Sequence, residues 1–141
     1  MKSLLLVFLT FFTFNASPWL SNLEEAKVLA KEDHKLIVLN FSGSDWCGPC
    51  IKMHKQIFES EEFKNYSEEN LVLVNADFPR MKKNQPAKEQ LEINAALADK
   101  YNKEGVFPLT LLLDKDGKVL KRWEGLPKET ATEFVSEITK P

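Results

Sequence analysis

The 141 residues carry 19 lysines and arginines against 21 aspartates and glutamates, a formal net charge of -2, and that length suits a single domain. No run of five basic residues occurs anywhere, which excludes a charge-driven nucleic-acid binder. Both cysteines, Cys47 and Cys50, fall within four residues. That excludes a disulfide-stapled scaffold, which spreads its cysteines to close long loops.

Lys2 precedes Leu4 to Phe14, an uncharged run interrupted only by Thr10 and Thr13. A short basic start followed by a short apolar run is the layout of a secretory signal peptide. The run is shorter than the about 20 apolar residues of a membrane-crossing helix. Residues 1–17 are therefore read as an export signal and 18–141 as the working domain. Asn15-Ala16-Ser17 supplies small residues for cleavage, but Phe14 and Pro18 flank them awkwardly, so an uncleaved anchor stands as the alternative. A buried N-terminal strand or helix is the blander reading of the same run.

Ser21-Asn22-Leu23-Glu24 reads as a capping box opening a helix to about Glu32. Leu36-Ile37-Val38-Leu39 leads into Asn40 and Phe41 as a strand covered on both faces. A helix with Ile51, Met53, Ile57 and Phe58 follows the cysteine pair. Leu71 to Asp77 is a second apolar strand, and Glu89 to Tyr101 an amphipathic helix. Leu109 to Leu113 is a third strand, turned by Asp114-Lys115-Asp116-Gly117 into a partner strand with Val119, Leu120 and Trp123. Pro127 to Thr139 closes the chain as a helix. The order predicts an α/β fold with a mixed central sheet flanked by helices, its last strand pair antiparallel because adjacent parallel strands need a crossover.

A pair that closes almost no loop has chemical rather than structural value. A thiol attacks as thiolate, and a free cysteine has a pKa of about 8.5, so the site must favour negative sulfur. The pair sits directly after a strand and at the start of a helix, where unpaired backbone N–H groups do so. Cys47, nearer the helix end and expected to be the more exposed, is the candidate nucleophile. Cys50, one turn in, is the candidate resolving thiol. Gly48 lets the backbone turn closely, and Pro49 loses no hydrogen bond in a first helical turn. Trp46 supplies an apolar wall beside the sulfurs, or packs as any tryptophan does.

Trp46-Cys47-Gly48-Pro49-Cys50, in this strand–motif–helix setting, resembles the active-site motif of the thioredoxin-like family. The resemblance runs from about Leu36 to Glu137 and implies the thioredoxin fold. Phe41 to Asp45 and the long segment from Phe78 to Gln90 resemble the family's exported bacterial branch. The resemblance also implies a cis peptide bond before Pro108, in Phe107-Pro108-Leu109-Thr110-Leu111, placed opposite the cysteines to present backbone to an extended substrate. Phe107 is bulkier than the family's usual aliphatic residue there, and Leu109 stands for a common threonine. The family's buried aspartate is replaced by Asn40, and Leu73 falls near the place of its lysine. An amide does not exchange a proton at neutral pH, so Asn40 can hydrogen-bond but cannot act as general base. Water, or Asp45 if it points inward, is left to take the proton of Cys50.

What the resemblance implies is a thiol–disulfide oxidoreductase reducing disulfides of exported proteins. Gly48-Pro49 matches reducing members. The implied setting is the periplasm, free or membrane-anchored, with disulfide-bearing exported proteins as substrates and an upstream thiol reductant, of a membrane-bound kind, as donor. No cofactor is implied beyond the Cys47–Cys50 couple. Two alternatives stay open: a disulfide oxidase or isomerase, and a non-turnover binding module.

Other signals are weaker. Cys47, Cys50 and His54 fall short of the four ligands of a structural zinc site, so no metal is expected. Asp114 to Gly117 resembles the start of a calcium loop without its later glutamate. Asn65-Tyr66-Ser67 fits a glycosylation acceptor, a pattern that recurs by chance. Arg80 to Lys83 is the densest basic patch, and Lys82 to Pro86 reads as a polar loop with a partner-docking role as its alternative.

Overall fold

The computed structural model describes residues 18–140; the export signal predicted over 1–17 lies outside the described residues. The chain runs β1 (Trp19–Leu20), α1 (Leu23–Glu32), β2 (Leu36–Ser42), α2 (Gly48–Met53), a π-helical segment (His54–Phe58), α3 (Glu61–Asn70), β3 (Leu71–Asp77), a 3-10 turn (Lys82–Asn84), α4 (Lys88–Tyr101), β4 (Leu109–Leu113), β5 (Val119–Glu124) and α5 (Ala131–Thr139). The five strands form one mixed sheet in the order β1-β3-β2-β4-β5. β1 and β2 run parallel to β3, while β4 is antiparallel to both β2 and β5. The predicted mixed sheet with an antiparallel last pair is what forms.

Period-two alternation along the strands builds two cores. Ile37, Leu39 and Phe41 of β2, with Leu109, Leu111 and Leu113 of β4, pack against Ala26, Ala30 and Tyr101 of α1 and α4. Val38 and Leu112 face the other way, onto Met53, Phe63 and Phe134. Fully apolar strands follow directly from a sheet covered on both faces. The same parity fixes what lies under α2: Asn40, Thr110 and Asn75 share the face of Val38, Leu112 and Leu73, toward the open end of that core.

Three local expectations change. The cap of α1 is Asn22, whose side chain accepts from the N–H groups of Glu24 and Glu25; no Ser21–Glu24 capping box forms. The helix after the cysteines widens into the π segment and stops at Ser60. There the Ser60 hydroxyl donates to Ile57 O at 2.6 Å and accepts from Phe63 N at 3.2 Å, so α3 starts afresh where one helix was read. Helix α5 begins at Ala131 rather than Pro127, because Thr130 and Glu133 form a complete capping box. The turn read at Asp114 to Gly117 does form, Asp114 Oδ1 accepting from Asp116 N at 2.8 Å and Lys118 N at 2.9 Å.

Candidate active site

Strand β2 releases the chain at Ser42, and one tight turn carries it to α2. Trp46 N and Cys47 N both donate to Gly43 O, at 3.2 and 2.8 Å. Cys47 is the N-cap of α2, with extended backbone, and its Sγ accepts from Cys50 N at 3.3 Å. Cys47 and Cys50 are joined by a disulfide. Gly48 and Pro49, between them, are exposed.

One expectation fails here. Cys47 is 4% exposed and Cys50 6%, so exposure does not single out Cys47 in the oxidised form. The distinction between the two sulfurs is the cap: Cys47 Sγ receives a backbone N–H, and Cys50 lies inside the helix.

Trp46 lies flat over Gly43 and builds a wall. Its indole N–H donates to Phe78 O at 2.8 Å, and the Arg80 guanidinium stacks 3.8 Å from the ring centroid. Phe107 meets Trp46 edge-on at 5.4 Å and Phe78 at 5.6 Å between centroids. The Phe107–Pro108 bond is cis, as the resemblance implies, and Pro108 is buried. Asn102 braces the segment before it, its amide accepting from Val106 N and donating to Val106 O at 2.9 Å each. The Trp46–Phe107 contact brings the cysteine turn and the cis-proline segment to one face.

Beneath Cys50 lies a cavity of about 380 Å³, lined among others by Asn40, Ser42, Cys50, His54 and Asn75. Asn40 Nδ2 donates to Asn75 Oδ1 at 3.0 Å, and Asn40 Oδ1 accepts from Thr110 Oγ1 at 3.0 Å. The buried amide is thereby satisfied at both ends, as a buried polar group must be. Register pairs Asn40 with Asn75 and Val38 with Leu73. The residue that faces Asn40 from the next strand is thus Asn75, and Leu73 belongs to the apolar core. Ser42 Oγ bonds onward to Asn75 Oδ1 at 3.1 Å and Asp77 Oδ1 at 3.2 Å. Asn75, Asp77 and Thr110 went unread in the sequence; counting parity from Leu73 along β3 would have found Asn75.

Asp45 is turned to another task. Its oxygens accept from Arg80 N and Met81 N at 2.9 Å and from Asn84 Nδ2 at 3.0 Å, so they fasten the 80–84 segment rather than meet Cys50. The Arg80 N–H, helped by the Asn84 amide and the Met81 N–H, holds this carboxyl below its ordinary value of 3.8. A depressed carboxyl contributes stability that is complete above its unfolded value and lost as pH falls through the folded one. The amide resonances of Arg80 and Met81 should therefore shift together below the ordinary carboxylate range. In Asp45→Asn neither should titrate; a titration that persists there would reassign the clamp.

His54, an exposed side chain, faces Glu59 with Nε2 to Oε1 at 3.2 Å. Among the described residues no group of three or more His, Cys, Asp or Glu could hold a metal ion.

The family model for the thioredoxin-like domain matches residues 23–139. The chain belongs to the thioredoxin-like family. It is 41% identical over 114 residues to the disulfide bond reductase DsbH of Chlamydia pneumoniae, covering 81% of this chain and 66% of that protein. It is 31% identical over 115 residues to the thioredoxin-related protein DsbJ of the same organism, covering 81% of this chain and 32% of that one. A solved DsbH oxidoreductase structure superposes with a TM-score of 0.75 at 40% identity, over 83% of this chain and 78% of that chain. The chain thus spans just under two thirds of DsbH and about a third of DsbJ. Within this thioredoxin-like thiol–disulfide family the Cys47–Cys50 pair occupies the redox motif.

Proposed function

We propose that the chain is a protein-disulfide reductase, a thiol–disulfide oxidoreductase that reduces disulfides of other exported proteins through Cys47 and Cys50. The observation that carries this reading is the disulfide of a Cys-Gly-Pro-Cys pair whose first sulfur caps a helix. The 41% identity to a protein named for disulfide reduction supports the direction.

In the dithiol form, the N–H of Cys50 is the donor that a thiolate at Cys47 accepts from. Cys47 attacks one sulfur of the substrate disulfide; that S–S bond breaks and the other substrate sulfur leaves as thiolate. Cys50 then loses its proton and attacks Cys47 Sγ. The Cys47–Cys50 disulfide forms and the second substrate thiol departs, two electrons having passed to the substrate. Gly48 and Pro49 hold the two sulfurs one turn apart. Trp46 and Phe107 flank the approach, and the backbone around Phe107 and Pro108 positions the extended substrate. Water in the polar cavity takes the proton of Cys50, with Asn40 holding the cavity's hydrogen-bond order and Asp45 taking no part.

Each turnover leaves a disulfide, so an upstream thiol reductant must restore the dithiol, and a membrane electron-transfer protein suits an oxidising compartment. No cofactor beyond the cysteine couple enters this scheme. Residues 1–17 act as the export signal, or as a retained anchor, placing 18–141 in the periplasm. No helix among the described residues is long and apolar enough to cross a membrane.

Cys50→Ser should stall after the first step and accumulate a covalent adduct with a disulfide-bearing protein, linked through Cys47 and released by dithiothreitol. Absence of any adduct would favour a non-turnover binding module.

A further inference from the structure

The segment from Phe78 to Asn84 stands beside the cysteine turn, and the redox steps leave it without a task. Arg80, Met81, Lys82 and Lys83 are all exposed, Met81 at 46%. Among the described residues none of the three cations meets a carboxylate in an ion pair. A merely solvated loop needs no anchoring, yet this one is fastened three ways. Asp45 clamps it through three hydrogen bonds, the Trp46 indole bonds Phe78 O, and Arg80 stacks on Trp46, the neighbour of Cys47. Asp45 fastens the segment through its backbone N–H groups and one amide, so it places the cations without pairing with them. Three positive charges against two carboxylates, Asp45 and the Ser44-bound Asp77, leave the patch with a net positive charge.

Resting on the reductase reading, we propose that this segment is a docking surface for acidic residues flanking the substrate's disulfide. Trp46, Phe107 and Met81 give the residue next to the substrate cysteine an apolar and polarisable bed. Arg80, Lys82 and Lys83 attract carboxylates from within about 10 Å at 0.1 M salt. The partner is therefore an extended polypeptide with aspartate or glutamate close to its cysteine. Complementary charge raises the encounter rate more than it deepens the bound state.

The test uses the full chain, reduced beforehand, and follows its oxidation by two disulfide peptides of equal length. One has glutamates beside its cysteine and the other lysines. Bis(2-hydroxyethyl) disulfide serves as the uncharged reference. At low salt the acidic peptide should react about tenfold faster than the basic one, and about 0.5 M salt should nearly erase the difference. The double charge reversal Lys82→Glu with Lys83→Glu should invert the preference, while oxidation by the uncharged disulfide reports that folding and thiol reactivity are intact. Equal rates for the two peptides, or a preference that survives the reversal, would overturn the docking proposal. Failure of all three disulfides to oxidise the chain would instead overturn the reductase reading beneath it.

Discussion

Cys47→Ser should reduce disulfide turnover to the uncatalysed rate, a loss of at least about 10³-fold, because Cys50, the remaining thiol, lies inside the helix without the N-cap N–H that favours thiolate at Cys47. Serine is nearly isosteric and can still cap α2 by accepting from Cys50 N, as serine caps commonly do. Stability should therefore change little relative to the reduced protein, which separates chemistry from folding. Cys50→Ser behaves differently in the same assay, since it still attacks once and then stalls. Insulin reduction, followed alongside a denaturant midpoint for each variant, checks both statements. Activity that survives Cys47→Ser would move the nucleophile elsewhere.

Gly43→Ala should have the second largest effect, although Gly43 carries no chemistry. A Cβ there would meet Cε2, Cζ2 and Nε1 of Trp46, each at 2.5 Å or closer. The indole is rigid and tied to Phe78 O, so it cannot yield by rotating a flexible end. The ring must leave, and the Phe78 bond, the Arg80 stack and the Phe107 contact leave with it. Overpacking of this kind costs about 1–3 kcal/mol. Activity on a protein substrate should fall about tenfold while the small uncharged disulfide is still reduced, because the wall positions substrates and the sulfurs do not depend on it. Trp46 fluorescence and the two substrates read this directly. Equal losses on both substrates would mean that the cysteine turn itself had been disturbed.

What the sequence made legible was what local pattern encodes. Leu36 to Leu39, Leu71 to Val74 and Leu109 to Leu113 are apolar runs, and each became a strand covered on both faces. Cys47 and Cys50 announced themselves by a spacing that closes no useful loop, and Pro108 by the family resemblance. Most of the unread parts depend on partners far along the chain. Strand β1 is two residues held by parallel pairing to β3, too short to leave a period. The break between the π segment and α3 is made by Ser60, a signal hidden inside an otherwise helical stretch. Asp45 sits next to the cysteine motif, so its carboxylate invited a chemical role; its partners are 35 to 39 residues away. Asn40 was legible as a departure from the family's acid, but its pairing with Asn75 and Thr110 needed the register of three strands. An amide cannot supply a base, so what this network provides is hydrogen-bond order beside Cys50.

Whether this dithiol works as a reductant is decided by the reduction potential of the Cys47–Cys50 couple, equilibrated against glutathione and read as the fraction of disulfide. A value near about -270 mV, the thioredoxin range, is expected. A value of about -120 mV, that of a strong disulfide donor, would make the protein an oxidase instead.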